Sequence, residues 1–134
     1  MEDDLQTALR LCDTLHNHGY NTIMTRNAAE AKEALLNQQF DIVITDIFVS
    51  MNGRPVPDGG ISLIGWIRTK GLSARDKDFK HLPIIAISSA SKNPTKSHAL
   101  KVATSVGATS CVTKPFTEDE IVSEVAWHLE AKAI

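Results

Sequence analysis

An α/β fold, a doubly wound parallel sheet with helices on both faces, is what this sequence predicts, on three observations. Two short, β-branched apolar runs, Phe40 to Ile47 and Leu82 to Ile87, read as buried strands. Amphipathic helical segments alternate with such runs along the chain, the pattern of a parallel sheet covered by helices. The polar residues with the most chemistry, Asp46, Ser88-Ser89 and Lys114, each close a strand. Right-handed crossovers place all strand C-termini along one edge, so these residues converge there although they are distant in sequence.

The elements follow in order. From Leu5 to His18 the apolar positions Leu5, Ala8, Leu9, Cys12 and Leu15 recur at three- and four-residue steps, and Gly19 supplies the stop. Tyr20 to Met24 reads as a short strand. Asn27, with Glu30 three residues later, caps a second helix through about Gln38. The strand ending at Asp46 follows. Residues 50–60, with Asn52-Gly53, Pro55, Pro57 and Asp58-Gly59-Gly60, read as a loop dense in turn signals. A third helix spans about Ile61 to Thr69. After a polar stretch comes the strand over Ile84 to Ile87, then a helix somewhere in residues 94–105, with Gly107 as its stop. Ser110 to Thr113 is the last strand, and Thr117 with Glu120 opens a final helix to about Lys132.

Composition bounds the function. The 134 residues suit a single domain over 1–134 with one core, and 43% hydrophobic content is enough to build it. A net charge of −2 points to neither a nucleic-acid nor a membrane surface. Cys12 and Cys111 fall inside apolar patterns and read as buried thiols, and with no signal peptide or membrane span the expected setting is a reducing cytoplasm. The five histidines show no ligand spacing. Trp66 and Trp127, both on helices, read as packing or partner-facing residues.

An acidic cluster, Glu2-Asp3-Asp4, precedes the first helix, and Lys114-Pro115 follows the last strand. Together with Asp46 they outline a magnesium-dependent phosphoryl site. Each has a plainer alternative: Asp46 as a turn-capping carboxylate, the acidic cluster as a partner of the helix dipole, Ser88 as a turn residue, Lys114 as a solvated loop lysine. Their joint placement favours the chemical reading.

Over essentially the whole chain these residues resemble the receiver domain of two-component response regulators. "FDIVITDI" is similar to the family's phosphoacceptor strand, "LPIIAISSA" to the strand carrying the hydroxyl, and "GATSCVTKPF" to the strand carrying the lysine. The resemblance implies a flavodoxin-like sheet of order 2-1-3-4-5. It implies Asp46 as the nucleophile that takes a phosphoryl group from a histidine kinase or histidine phosphotransfer protein. It implies Mg²⁺ held by Asp3, Asp46 and the main-chain carbonyl of Phe48, with Glu2 direct or through water. Lys114 would pair with a phosphoryl oxygen, and Ser88 would donate to another. Transfer and hydrolysis would be self-catalysed, so the domain is not expected to be an enzyme in the ordinary sense. The output is a changed surface for a downstream protein or an output domain outside this chain, and a dimer is compatible with it. No direct contact with nucleic acid or membrane is expected.

Three departures qualify the resemblance. The chain starts at the end of the family's first, central strand. Such a strand buries three or four apolar side chains, together worth ~5–10 kcal/mol, comparable to a whole domain's stability. The expectation is a polypeptide that begins upstream of Met1, or a segment from another chain that fills the slot. Second, Gly59 falls thirteen residues after Asp46, a longer loop than the family uses. It reads equally as a device to gate a partner or shield the acyl phosphate and as a tolerated surface insertion. Third, Cys111 stands where the family has an aromatic residue three positions before the lysine. These departures keep open an alternative, a receiver-like interaction module without phosphorylation. A phosphohydrolase would want an acid two residues after the nucleophile, where Phe48 stands.

Overall fold

The computed structural model describes residues 5–47, 49–51, 54–56, 58–70, 81–89, 107–114 and 116–133. Along them run α1 (Leu5–Asn17), α2 (Ala28–Asn37), β1 (Val43–Asp46), β2 (Val49–Met51), β3 (Arg54–Val56), α3 (Asp58–Lys70), β4 (Ile84–Ser89), β5 (Ser110–Lys114) and α4 (Glu118–Ala133). Strands β1, β4 and β5 form a parallel sheet in that spatial order, while β2 and β3 form a separate antiparallel pair.

The sheet is covered on both faces, and the alternation of β4 shows how. Ile84 and Ala86 pack with Ala31 and Leu35 of α2 and Leu63, Ile64 and Ile67 of α3. Ile85 and Ile87 point the other way, to Leu11 and Leu15 of α1 and Ile121 and Val125 of α4. A central strand apolar on both sides is what helices on both faces require. Burying each such side chain stabilises the fold by ~1.5–3 kcal/mol.

Local signals set the helix ends. The Asn27 side chain accepts from the Glu30 amide at 2.9 Å, and Thr117 accepts from the Glu120 amide at 3.1 Å. Gly19, at φ +90°, turns the chain out of α1 in a conformation that costs other residues strain.

One side chain joins three elements at the end of the sheet where the strands begin. Arg68 of α3 donates to the carbonyls of Leu82 (2.7 Å) and Gly107 (2.9 Å) and to Thr109 Oγ1 (3.3 Å). Thr109 Oγ1 in turn accepts the Ile84 amide at 3.0 Å. Burial draws the guanidinium pKa below its ordinary value. The contacts fix where β4 and β5 start, and so the level at which each ends.

Four expectations need correction. Residues 20–25 form no ladder, so the strand expected at Tyr20 to Met24 is absent among the described residues. A short strand cannot hold without a neighbour to pair with. The stretch 50–60 is not all loop: it contributes a hairpin, and α3 starts at Asp58, a turn earlier than the apolar pattern marks. The hairpin register pairs Met51 with Arg54, leaving Asn52-Gly53 between them, the residue pair that two-residue hairpin turns favour. Neither cysteine is buried: Cys12 is half-buried and Cys111 exposed. On β5 the inward position is Val112, and Cys111 and Thr113 flank it on the exposed side of the pleat. The helix expected in 94–105 lies outside the described residues.

Candidate functional site

Asp46 is the last residue of β1, after half-buried Val43 and Ile44 and buried Thr45. It is only 6% exposed, a carboxylate set at the rim of an apolar sheet. Its main chain is held from three sides. The Ile47 amide donates to Ile87 O at 2.9 Å, tying β1 to β4 just past the aspartate. The Thr45 hydroxyl donates to the Asp46 carbonyl at 3.1 Å. Gly60, in the first turn of α3, lies so close that a Cβ there would collide with the Asp46 carbonyl oxygen and the Ile47 Cα. The opening of α3 therefore abuts the end of β1, and only glycine permits it.

Register sets the other two residues. Asp46 is level with Ile87, so Ser88 stands one rung beyond it on the neighbouring strand. Ser88 is level with Thr113, and Ser89 with Lys114, so Lys114 closes β5 two rungs above Asp46. Ser88 is fully buried. The three expected residues thus stand at the C-terminal ends of three adjacent strands, Asp46 and Lys114 last and Ser88 next to last, at one sheet edge. The hairpin starts three residues after Asp46 and contacts α3, placing it beside the same edge.

Glu2, Asp3 and Phe48 lie outside the described residues. Among the described residues no group of three or more His, Cys, Asp or Glu side chains could hold a metal ion. Asp46 alone fits part of such a site: a carboxylate supplies the hard oxygen that Mg²⁺ prefers.

Two features escaped the sequence reading. Gly60 carried a signal, since paired glycines entering a helix are unfavourable unless a close approach requires one. Ser110, Glu124 and His128 form a polar cluster at the start of β5: Ser110 Oγ lies 3.1 Å from Glu124 Oε2 and 2.9 Å from His128 Nε2. Both partners converge on one hydroxyl with His128 buried, which is an anchoring arrangement between β5 and α4. It needed tertiary structure to be seen.

Comparison with known proteins agrees with this geometry. The model of the response regulator receiver domain family matches residues 1–126, and the chain belongs to that family. It is 30% identical over 125 residues to the swarming motility regulation protein RssB of Serratia marcescens. That match takes in 93% of this chain and 49% of RssB, so the chain spans about half the length of this curated relative. The receiver domain of a signal transduction histidine kinase from Syntrophus aciditrophicus superposes with a TM-score of 0.77 at 25% identity, over 98% of this chain and 87% of that one. The chemotaxis response regulator CheY4 of Vibrio cholerae shares the fold, with a TM-score of 0.71 at 22% identity over 96% of this chain and 93% of its own. This chain is a receiver domain of two-component signal transduction, a flavodoxin-like α/β fold. Receiver domains work with histidine kinases and output domains and are not enzymes in the ordinary sense. No described helix is long and apolar enough to cross a membrane.

Proposed function

We propose that this receiver domain accepts a phosphoryl group on Asp46 from the phosphohistidine of a histidine kinase or histidine phosphotransfer protein. The observation that supports the reading is the shared sheet edge: a nearly buried Asp46 ends β1, with Ser88 and Lys114 one and two rungs above it on the next two strands.

In the transfer, an Asp46 carboxylate oxygen attacks phosphorus, the phosphorus–nitrogen bond of the donor breaks, and the departing imidazole takes a proton. Negative charge spreads over the equatorial oxygens, so positioning and electrostatics carry the rate. Lys114 pairs with one of those oxygens as a fixed positive charge. Ser88 donates its hydroxyl proton to another, and its small movement toward the new anion is the local switching event. Glu2, Asp3, Asp46 and the Phe48 carbonyl would hold Mg²⁺, which when bound neutralises charge on the phosphoryl oxygens. Water later attacks the phosphorus, releasing inorganic phosphate and restoring the carboxylate. The acyl phosphate shifts a two-state balance and so alters the surface presented to a downstream protein or output domain.

The test is site mapping. After incubation with acetyl phosphate and Mg²⁺, borohydride reduction converts an acyl phosphate on aspartate to homoserine. The proposal predicts homoserine at position 46 alone. Homoserine at another aspartate, with position 46 unmodified, would overturn it.

A further inference from the structure

The hairpin between β1 and α3 is rooted beside Asp46 at both ends. Val49 follows Asp46 by three residues, a reach of at most about 10 Å. Beyond Val56 the chain enters α3 at Asp58, and Gly60, two residues further, abuts the Asp46 carbonyl. Val49 and Val56 are partners in the register, so the base of the hairpin lies at this one spot. From that base β2 and β3 run through three paired rungs to the residues that join them, a height of about 10 Å.

Such a pair does not stand alone. A two-stranded hairpin is at best marginally stable in water and needs a surface behind it. Helix α3 supplies that surface, since β2 contacts it. The hairpin is therefore a built element of the rim. A phosphoryl group on a carboxylate extends only a few ångströms, so a paired structure of about 10 Å is taller than the group beside it. The burial of Asp46 agrees with cover at this place: the end of a strand is where a sheet rim opens to solvent, yet Asp46 is only 6% exposed.

We propose that the hairpin is a wall on the α3 side of Asp46 that restricts the approach of water and small phosphodonors to the carboxylate. It rests on the reading of Asp46 as the phosphoacceptor and adds what sets the lifetime of the acyl phosphate. In hydrolysis a water oxygen attacks phosphorus opposite the acyl oxygen. The phosphorus–oxygen bond to Asp46 breaks, the carboxylate is restored, and the water's protons go to inorganic phosphate and solvent. In loading from acetyl phosphate, the Asp46 oxygen attacks phosphorus and acetate leaves along the same line. A wall slows both steps, because it excludes reactants from that line. A group that stabilised the transition state would speed both. Removing the hairpin therefore tells the two roles apart by the sign of the change.

The experiment compares the parent chain with one in which residues 49–56 are replaced by Gly-Ser-Gly. Partners in an antiparallel pair lie about 5 Å apart, so this link closes the gap without moving β1 or α3. Met51→Pro takes a main-chain donor out of the rung nearest the turn, and it carries the test if the shortened chain does not unfold cooperatively. Loading by acetyl phosphate with Mg²⁺, and loss after the donor is removed, are followed by intact mass. Both rates should rise about tenfold without the hairpin. In parallel, each chain carries Asp46→Cys, and alkylation at position 46 by iodoacetamide and by the bulkier fluorescein maleimide is followed by peptide mapping. Exposed Cys111 is the internal reference. Position 46 should react faster without the hairpin, with the larger gain for the maleimide, while Cys111 is unchanged. Unchanged loss and unchanged alkylation would overturn the wall, and so would slower loading in a folded variant. A parent chain that gains no phosphoryl group would overturn the phosphoacceptor reading, and the alkylation rates then decide the wall by themselves.

Discussion

The Asp46 main chain is clamped by its neighbours. Thr45 and Ile87 hold it by hydrogen bonds, and Gly60 lets α3 come into contact with it. Gly60→Ala would force a methyl group against the Asp46 carbonyl, and since both partners are backbone, neither can swing away. The expected cost is about 1–3 kcal/mol of stability, the usual range for overpacking, read as a lower urea midpoint. The phosphorylation rate should fall as well, because a displaced carbonyl displaces the carboxylate. A Gly60→Ala protein with unchanged midpoint would show that the approach is looser than described. Cys111 gives a contrasting case. It is exposed on β5, so Cys111→Tyr adds no atoms to the core and should leave phosphorylation intact. Abolished phosphorylation in that variant would place position 111 within the machinery. Exposure also predicts that Cys111 alkylates faster with iodoacetamide than half-buried Cys12, a difference that peptide mapping would read directly.

Among the elements, those with a strong local signal were legible in the sequence. The apolar runs of β1 and β4, the three- and four-residue spacing of α1, and the caps at Asn27 and Thr117 rest on side-chain periodicity and short-range hydrogen bonds. So did the placement of Asp46, Ser88 and Lys114 at strand ends, because topology alone brings them together. What was not legible depends on partners distant in sequence. Residues 21–25 have strand-like composition, yet a strand needs a neighbour, and among the described residues none pairs with them. The hairpin was hidden because prolines and glycines mark turns whether or not short strands lie between them. The Arg68 contacts join positions 14 to 41 residues apart, beyond any periodicity. Arg68→Ala would remove hydrogen bonds from a charged donor to two main-chain carbonyls, at an expected cost of about 2–3 kcal/mol. Denaturant unfolding would show it as a lower midpoint at unchanged slope. Arg68 stands at the opposite end of the sheet from Asp46, so phosphorylation at a temperature where the variant is folded should persist. Loss of phosphorylation in a folded variant would mean that the β4–β5 register it fixes is also transmitted to the site.

At the scale of the whole molecule the receiver fold accounts for both the site and its surroundings. A central strand buried on both faces carries Ser88 to the rim, its two neighbours carry Asp46 and Lys114, and α3 closes against the acceptor strand. The hairpin beside that rim belongs to this chain and lengthens the path from β1 to α3. Across the molecule Trp127 is 66% exposed on α4, an aromatic surface of the kind partner proteins engage. These features support Asp46 as a working phosphoacceptor. The most direct measurement is intact mass after incubation with acetyl phosphate and Mg²⁺, alongside Asp46→Asn and a sample treated with chelator. A gain of one phosphoryl group is expected, absent in the Asn variant and prevented by the chelator. A folded protein that gains no mass, or an Asp46→Asn variant that gains as much as the parent, would contradict it.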